Sequence, residues 1–166
     1  MFRFKKNGVA NSGRILVEQT IADSKTITVG DAVRLASGKV DLAGTGAAVY
    51  GIVAGLRKAD GSPLTDNGAG GDFNDTYTTG TSNTVVAVVD ISTDSVYSVT
   101  ADATLGTTTG SNLAGYNMDI VAASDQLDES TAVTTTAQFF SHGVDADGEA
   151  PSNSVLVSIQ ESQVKL

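Results

Sequence analysis

Cysteine and tryptophan are absent from the 166 residues, histidine occurs once and proline twice. Without cysteine there is no disulfide framework, no thiolate zinc or iron–sulfur site and no Cys nucleophile. The single histidine, His142, excludes a multi-histidine metal site and weakens any hydrolase triad. None of these staples is needed, because a chain of this length buries about 70% of its unfolded surface and is expected to form one domain. Glutamate is scarce as well, with four Glu against 15 Asp. Asp favours turns and Glu favours helices, so this bias points to loops that join strands. No run approaches the 18 apolar residues of a membrane span. Met1–Lys6 is basic and aromatic but leads into no apolar run, so no secretory signal is expected.

What is present is glycine (18 residues) and a Thr, Ser, Ala and Val background, closer to a construction element than to an enzyme. The formal net charge is −9, which should repel nucleic acid and anionic membranes from the bulk surface. The charge is unevenly placed. Residues 1–58 hold nine of the ten basic side chains and four acids, a balance of +5. Residues 59–166 hold Lys165 alone against 15 acids, a balance of −14. A chain so divided suits head-to-tail pairing with copies of itself, or a basic end docked on an acidic partner. The plain alternative is that strand-edge Lys and Arg happen to cluster early.

Along the chain, residues 1–13 read as an extended arm and 14–166 as a single β domain. Short β-branched runs recur: Arg14–Thr20, Thr26–Val29, then Ala32–Ala36 and Lys39–Leu42 around Ser37-Gly38, a tight-hairpin signal. Gly30-Asp31 is a turn or bulge. Val49–Ala54 reads as a buried strand, and Gly51 inside it signals a bulge or a close backbone approach. Residues 59–83 read as one long loop, rich in Gly, Asp and Thr. Thr84–Ile91 is apolar on both faces and is predicted to be a central strand. Ser95–Thr100, Met118–Ala122, a Thr-rich strand ending in Phe139-Phe140, and Ser154–Gln160 complete the set, with Ser124–Ser130 as an acidic turn. No 3.6-residue period lasts three turns. The predicted class is all-β, an antiparallel barrel or sandwich with long loops.

Candidate chemistry is thin. Asp145-Ala146-Asp147-Gly148-Glu149 opens like a calcium loop but lacks the closing bidentate acid and flanking helices. Asp72-Phe73-Asn74-Asp75 is a second oxygen cluster; solvated turns account for both. Ser141 and His142 are neighbours, and neighbours on a strand point to opposite faces, so they form no dyad there. Asp90, Asp94, Asp102, Asp119, Asp125 and Asp128 could supply the carboxylate pair of a glycosidase. Without Trp, however, a sugar-stacking cleft is hard to build. Gly44-Thr45-Gly46-Ala47 and Gly68-Ala69-Gly70-Gly71 open no helix and precede no Lys-Ser or Lys-Thr, so they read as turns rather than phosphate cradles.

Phe2-Arg3-Phe4-Lys5-Lys6 alternates aromatic with basic residues. Such a run can stack on single-stranded nucleic acid, but a short basic footprint on an acidic body is easily screened by salt. Two apolar anchors with three cations suit an acidic groove on a protein better. The bland reading is a disordered terminus.

The order of segments resembles small head proteins of tailed bacteriophages. Val29-Gly30-Asp31-Ala32-Val33-Arg34-Leu35, Gly38-Lys39-Val40 and Val49-Tyr50-Gly51-Ile52-Val53-Ala54-Gly55 are similar to a "GD-V-L" hairpin followed by a "GIV-G" strand. Val96-Tyr97-Ser98-Val99, Asn117–Val121, Asp128–Ala132 and Ser154–Gln160 continue that order from about Ile15 onward. The resemblance implies a capsid decoration, or cement, protein: β-rich, non-enzymatic and without cofactor. Its implied partners are the major capsid protein and copies of itself in a homotrimer, with no nucleic acid or membrane. Its implied place is the outer capsid surface of the virion, after synthesis in the host cytoplasm. It carries no catalytic residues and no metal site. Phe2, Arg3, Phe4, Lys5 and Lys6 are the expected docking arm, although the arm and the 59–83 loop lie outside the matched pattern. The alternative is a receptor- or glycan-binding β-module of a fibre or surface protein, with its ligand at residues 59–83 or 145–149.

Overall fold

In the computed structural model, the described residues are 1–7, 14–62, 64, 76–79, 85–103, 105, 113–121, 126–134, 137–147 and 153–160, the side chains of Lys6 and Asn7 excepted. They contain no helix and thirteen strands: β1 (Arg3–Asn7), β2 (Leu16–Thr20), β3 (Thr26–Thr28), β4 (Ala32–Ala36), β5 (Lys39–Leu42), β6 (Gly51–Lys58), β7 (Thr76–Thr78), β8 (Val85–Asp90), β9 (Ser95–Thr100), β10 (Asn117–Ile120), β11 (Leu127–Val133), β12 (Phe139–Val144) and β13 (Ser154–Ile159). A six-stranded sheet runs β1-β9-β13-β12-β10-β11, and a five-stranded sheet runs β2-β8-β6-β4-β5. A ribbon of β3 and β7 stands apart. All these ladders are antiparallel. The molecule is an all-β sandwich. The five-stranded sheet curls until Ile21 and Val40 meet in a single bridge, short of a closed barrel.

Strand alternation assigns the apolar residues to two cores. Tyr97, Val99, Met118, Ile120, Phe139, Val155 and Val157 of the six-stranded sheet pack on Ala32 and Ile52 of the other sheet. The next residues along, Val33 and Val53, turn to the opposite face and join Ile21, Ile27, Val40, Val85, Ala87 and Val89 in the second core. β8 lies between β2 and β6 as predicted; its Val85, Ala87 and Val89 enter the second core, while Val86 and Val88 on the other face are half-buried.

The hairpin expected at Ser37-Gly38 is present, with Ala36 opposite Lys39 and positive φ at both loop residues (53° and 76°). That is the type I′ turn whose twist matches the strands it joins. Close approach explains Gly51: a Cβ there would overlap the Asp90 carbonyl oxygen and Val89 Cγ1.

Three expectations change. Residues 127–130 are not a turn but the start of β11, because Leu127 is wholly buried and anchors the strand to the core. The 59–83 segment is not loop throughout: Thr76–Thr78 pairs with Thr26–Thr28, with threonine hydroxyls bonded across the ladder. The N-terminal arm is not free of the domain. Its residues 3–7 are the edge strand β1, paired to β9.

A candidate docking surface

The five residues expected to dock sit in different surroundings. Phe2 is 3% exposed, stacked on Phe139 with ring centroids 4.8 Å apart and edge-on to Tyr97 at 6.3 Å. Its backbone N–H donates to Gly30 O at 3.0 Å, so the start of the chain reaches across to the second sheet's β3–β4 turn. Phe2 is therefore a core residue, and its assignment as a docking anchor is corrected. Arg3 is exposed, with its Cα opposite Ser98. Phe4 is 39% exposed, edge-on to Tyr97 at 6.1 Å, and the Arg14 guanidinium lies 4.3 Å from its ring centroid. Lys5 pairs with Asp145 at 3.1 Å. The Lys6 backbone lies opposite Val96; its side chain is outside the described residues.

The contact between Phe4 and Arg14 brings the edge strand of one sheet beside the edge strand of the other. Just past Arg14, Ile15 and Leu16 are 55% and 50% exposed. A cavity of about 200 Å³ opens between these edges, with Met1, Phe4, Arg14, Ile52, Ala54 and Tyr97 in its wall. The flank therefore presents apolar side chains rimmed by cations next to two open strand edges. Arg14, Ile15 and Leu16 were not singled out from sequence, since a β-branched run after Arg14 looks like a core strand. Their exposure follows from β2's place at the sheet edge, which only the strand order reveals.

Asp90 holds this flank together from below. It has no exposure, and its Oδ2 accepts from Arg14 Nε (2.7 Å), Ser95 Oγ (2.9 Å) and Tyr97 Oη (2.6 Å), while Oδ1 accepts the Ser92 N–H (3.0 Å). Burial and the adjacent Asp90 carboxylate push the Tyr97 phenol far above the ordinary tyrosine range. As a structural acceptor for both sheets, Asp90 is fully committed.

Of the other carboxylates considered, Asp119 faces Asp128 across the β10–β11 ladder, and Asp102, Asp128 and Glu129 bring oxygens within 4.8 Å of one another. Burial raises the pKa of Glu129, and the Asp102 carboxyl raises it further. Asp125, residues 72–75, and Gly148 and Glu149 lie outside the described residues. Burial works against the Asp145 carboxylate, but hydrogen bonds from Ser98 and Lys5 outweigh it and hold its pKa below the ordinary value. That carboxylate is thus already used by the chain itself. Ser141 is buried and His142 exposed, on opposite faces of β12 as strand geometry requires; His142 Nε2 lies 3.0 Å from Ser158 Oγ.

No family model matches the chain, and no curated protein matches it.

Proposed function

We propose that this chain is a non-enzymatic structural protein that decorates the outer surface of a viral capsid, binding the major capsid protein lattice and bracing the expanded head. The observation that carries the reading is the flank where β1 and β2 lie side by side, with Phe4, Ile15 and Leu16 exposed beside Arg14. Two edge strands with apolar anchors and cations suit an acidic, extended segment of a partner, which adds main-chain hydrogen bonds to an edge and inserts alternate side chains. The order of turns and strands that resembles phage decoration proteins supports the same reading. So does a chain that presents chiefly Thr, Ser and Val and a net charge of −9. Weak contacts repeated at every lattice position then add through multivalency.

The test is co-sedimentation with expanded heads of the source virus that lack this protein. Saturation at a fixed ratio to the capsid subunit is expected, and the ratio identifies the symmetry site. Replacing Phe4 by Ala together with Ile15 and Leu16 by Ser should weaken binding about tenfold or more, in line with loss of buried apolar anchors. Deleting residues 1–7 is not the right control, since it removes Phe2 from the core. Absence of binding at low and moderate salt would discard the capsid reading and bring a receptor or glycan ligand forward.

A further inference from the structure

β4 bonds β5 on one side and β6 on the other, and its backbone groups alternate between the two. Ala32 O accepts the Ala43 N–H on the β5 side, whereas Asp31 O and Val33 O accept the Val53 and Tyr50 N–H groups on the β6 side. The same alternation sends the Leu35 N–H and C=O to the β6 side. No strand stands opposite them there, since the β4–β6 ladder pairs only Ala32 with Ile52 and Val33 with Gly51. The chain before β6 is drawn away instead. Gln138 Nε2 donates to Gly44 O and Ala47 O, and Thr45 Oγ1 donates to Ile120 O, which ties residues 44–47 to β10 and the start of β12. A cleft of about 330 Å³ opens in the sheet, with Arg34, Leu35, Ala47, Ala48, Val49 and Tyr50 in its wall. Among the described residues no backbone bond reaches Leu35 from this side.

Leu35 thus offers a donor and an acceptor side by side, the pattern that an added strand answers with its own C=O and N–H. A strand residue fills about 3.3 Å along the chain, about 4.8 Å across the ladder and about 10 Å through the sheet, so a cleft of this size takes about two residues. A residue set opposite Leu35 points to the same face as Leu35, and its neighbour points to the face of Arg34. Charge decides what that neighbour is. Asp41 is shared by Arg34 at 3.3 Å and Lys25 at 3.0 Å, so the trio keeps a net positive charge. Arg34 reaches Asp41 through Nη2, and its half-exposed guanidinium has further donors for a ligand.

We propose that this cleft is a binding site for an extended acidic segment of a partner protein, in which an apolar residue pairs its backbone with Leu35 and an adjacent Asp or Glu meets Arg34. A free carboxylate answers only half of this pattern, because it has no hydrogen to donate to the Leu35 C=O. A basic segment is repelled by Arg34 and Lys25. The cleft shares no residue with the flank of Phe4, Arg14, Ile15 and Leu16, so this inference stands or falls apart from the capsid reading.

Amide hydrogen exchange of the full chain, read by NMR, tests it. In the free protein the Leu35 amide should exchange faster than those of Arg34 and Ala36, which face Asp41 and Lys39 in the β5 ladder. The probe is acetyl-Glu-Val-Glu-amide, which offers a carboxylate in either strand direction. At about ten times the Kd given by its titration, it should slow Leu35 exchange about tenfold. Acetyl-Lys-Val-Lys-amide and sodium acetate should leave that rate unchanged. Arg34→Gln should weaken binding of the acidic peptide about threefold, and Ala48→Phe, which fills the cleft, should abolish it. A Leu35 amide already slow in the free protein, an acidic peptide that leaves it unchanged, equal protection by the lysine peptide or by acetate, or an Arg34→Gln chain that binds as tightly as the native one would each overturn the proposal. The exchange rates and the peptide comparison use the native protein, so they decide the matter even where a variant fails to fold.

Discussion

Asp90 ends β8 in the five-stranded sheet, yet two of its donors, Ser95 and Tyr97, belong to β9 in the other sheet, and a third, Arg14, precedes β2. A buried carboxylate is tolerable only when its lone pairs are filled, and here four donors fill them. Removing the centre of such a network leaves every donor stranded. Asp90→Ala is expected to cost about 3–5 kcal/mol, the range for breaking a buried ion pair. Tyr97→Phe removes one charge-assisted hydrogen bond, at about 1.5–3 kcal/mol. Urea denaturation of both variants checks the order. Equal losses would mean that Tyr97 carries the network and that the ion pair to Arg14 adds nothing. Gln138, 1% exposed, makes a second tie: its amide nitrogen donates to Gly44 O (2.8 Å) and Ala47 O (2.7 Å), and its carbonyl accepts the Ile120 N–H (2.9 Å).

At the scale of the element, β6 separates two roles for glycine on one strand. A Cβ on Gly51 would overlap the Asp90 carbonyl, whereas one on Gly55 would meet only Val88 Cβ, at 3.9 Å. Gly51→Ala should destabilise by about 1–3 kcal/mol through overpacking. Gly55→Ala should be neutral or stabilise by up to about 1 kcal/mol, because glycine weakens a strand interior. Thermal unfolding of the pair checks both signs. The strands whose chemistry is local were legible in the sequence. The Ser37-Gly38 hairpin follows from turn residues, β8 from an apolar run, and Gly51 from its place within a buried strand. Edge strands were harder. β11 packs through Leu127 and Ala132 while Asp128 and Ser130 intervene, so its charges imitate a turn. β7 has only three residues, too few for a period to show. For β1 the alternation was visible, but its partner β9 begins some ninety residues later, and nothing local announces that pairing. The docking residues divide along the strand rather than across it: Phe2 and Phe4 both meet Tyr97, but Phe2 is buried on Phe139 while Phe4 lies beside Arg14 at the flank, a difference that only the packing of the two sheets decides.

Across the whole molecule the division of charge becomes a division of pairing. In the basic half, Asp41 takes Lys25 at 3.0 Å and Arg34 at 3.3 Å, Lys39 meets Asp23 at 3.2 Å, and Arg57 meets Glu18. In the acidic half, Asp102, Asp128 and Glu129 crowd together. These two arrangements respond to pH in opposite senses. Burial opposes the Asp41 carboxylate, but the hydrogen bonds from Lys25 and Arg34 outweigh it and lower its pKa. Its stabilisation is present above the ordinary aspartate value of about 3.9 and is lost only as pH falls through the lowered folded value. Glu129 has a raised pKa, from burial first and from Asp102 second. Its ionisation opposes folding, in full above the raised value, and that penalty disappears once pH drops below the ordinary glutamate value of about 4.3. Glu129→Gln keeps the shape of the protonated acid and removes the penalty. In dilute solution it should raise the Tm at pH 7, by about 2–4 °C for each kcal/mol relieved. The gain should shrink to nothing as pH falls below the glutamate range. A Tm difference that is independent of pH would show that shape, not charge, governs this edge, and a lower Tm at pH 7 would show that the carboxylate is held by a favourable contact. Between the release of Glu129 and the protonation of Asp41, neither of these two carboxyls opposes folding.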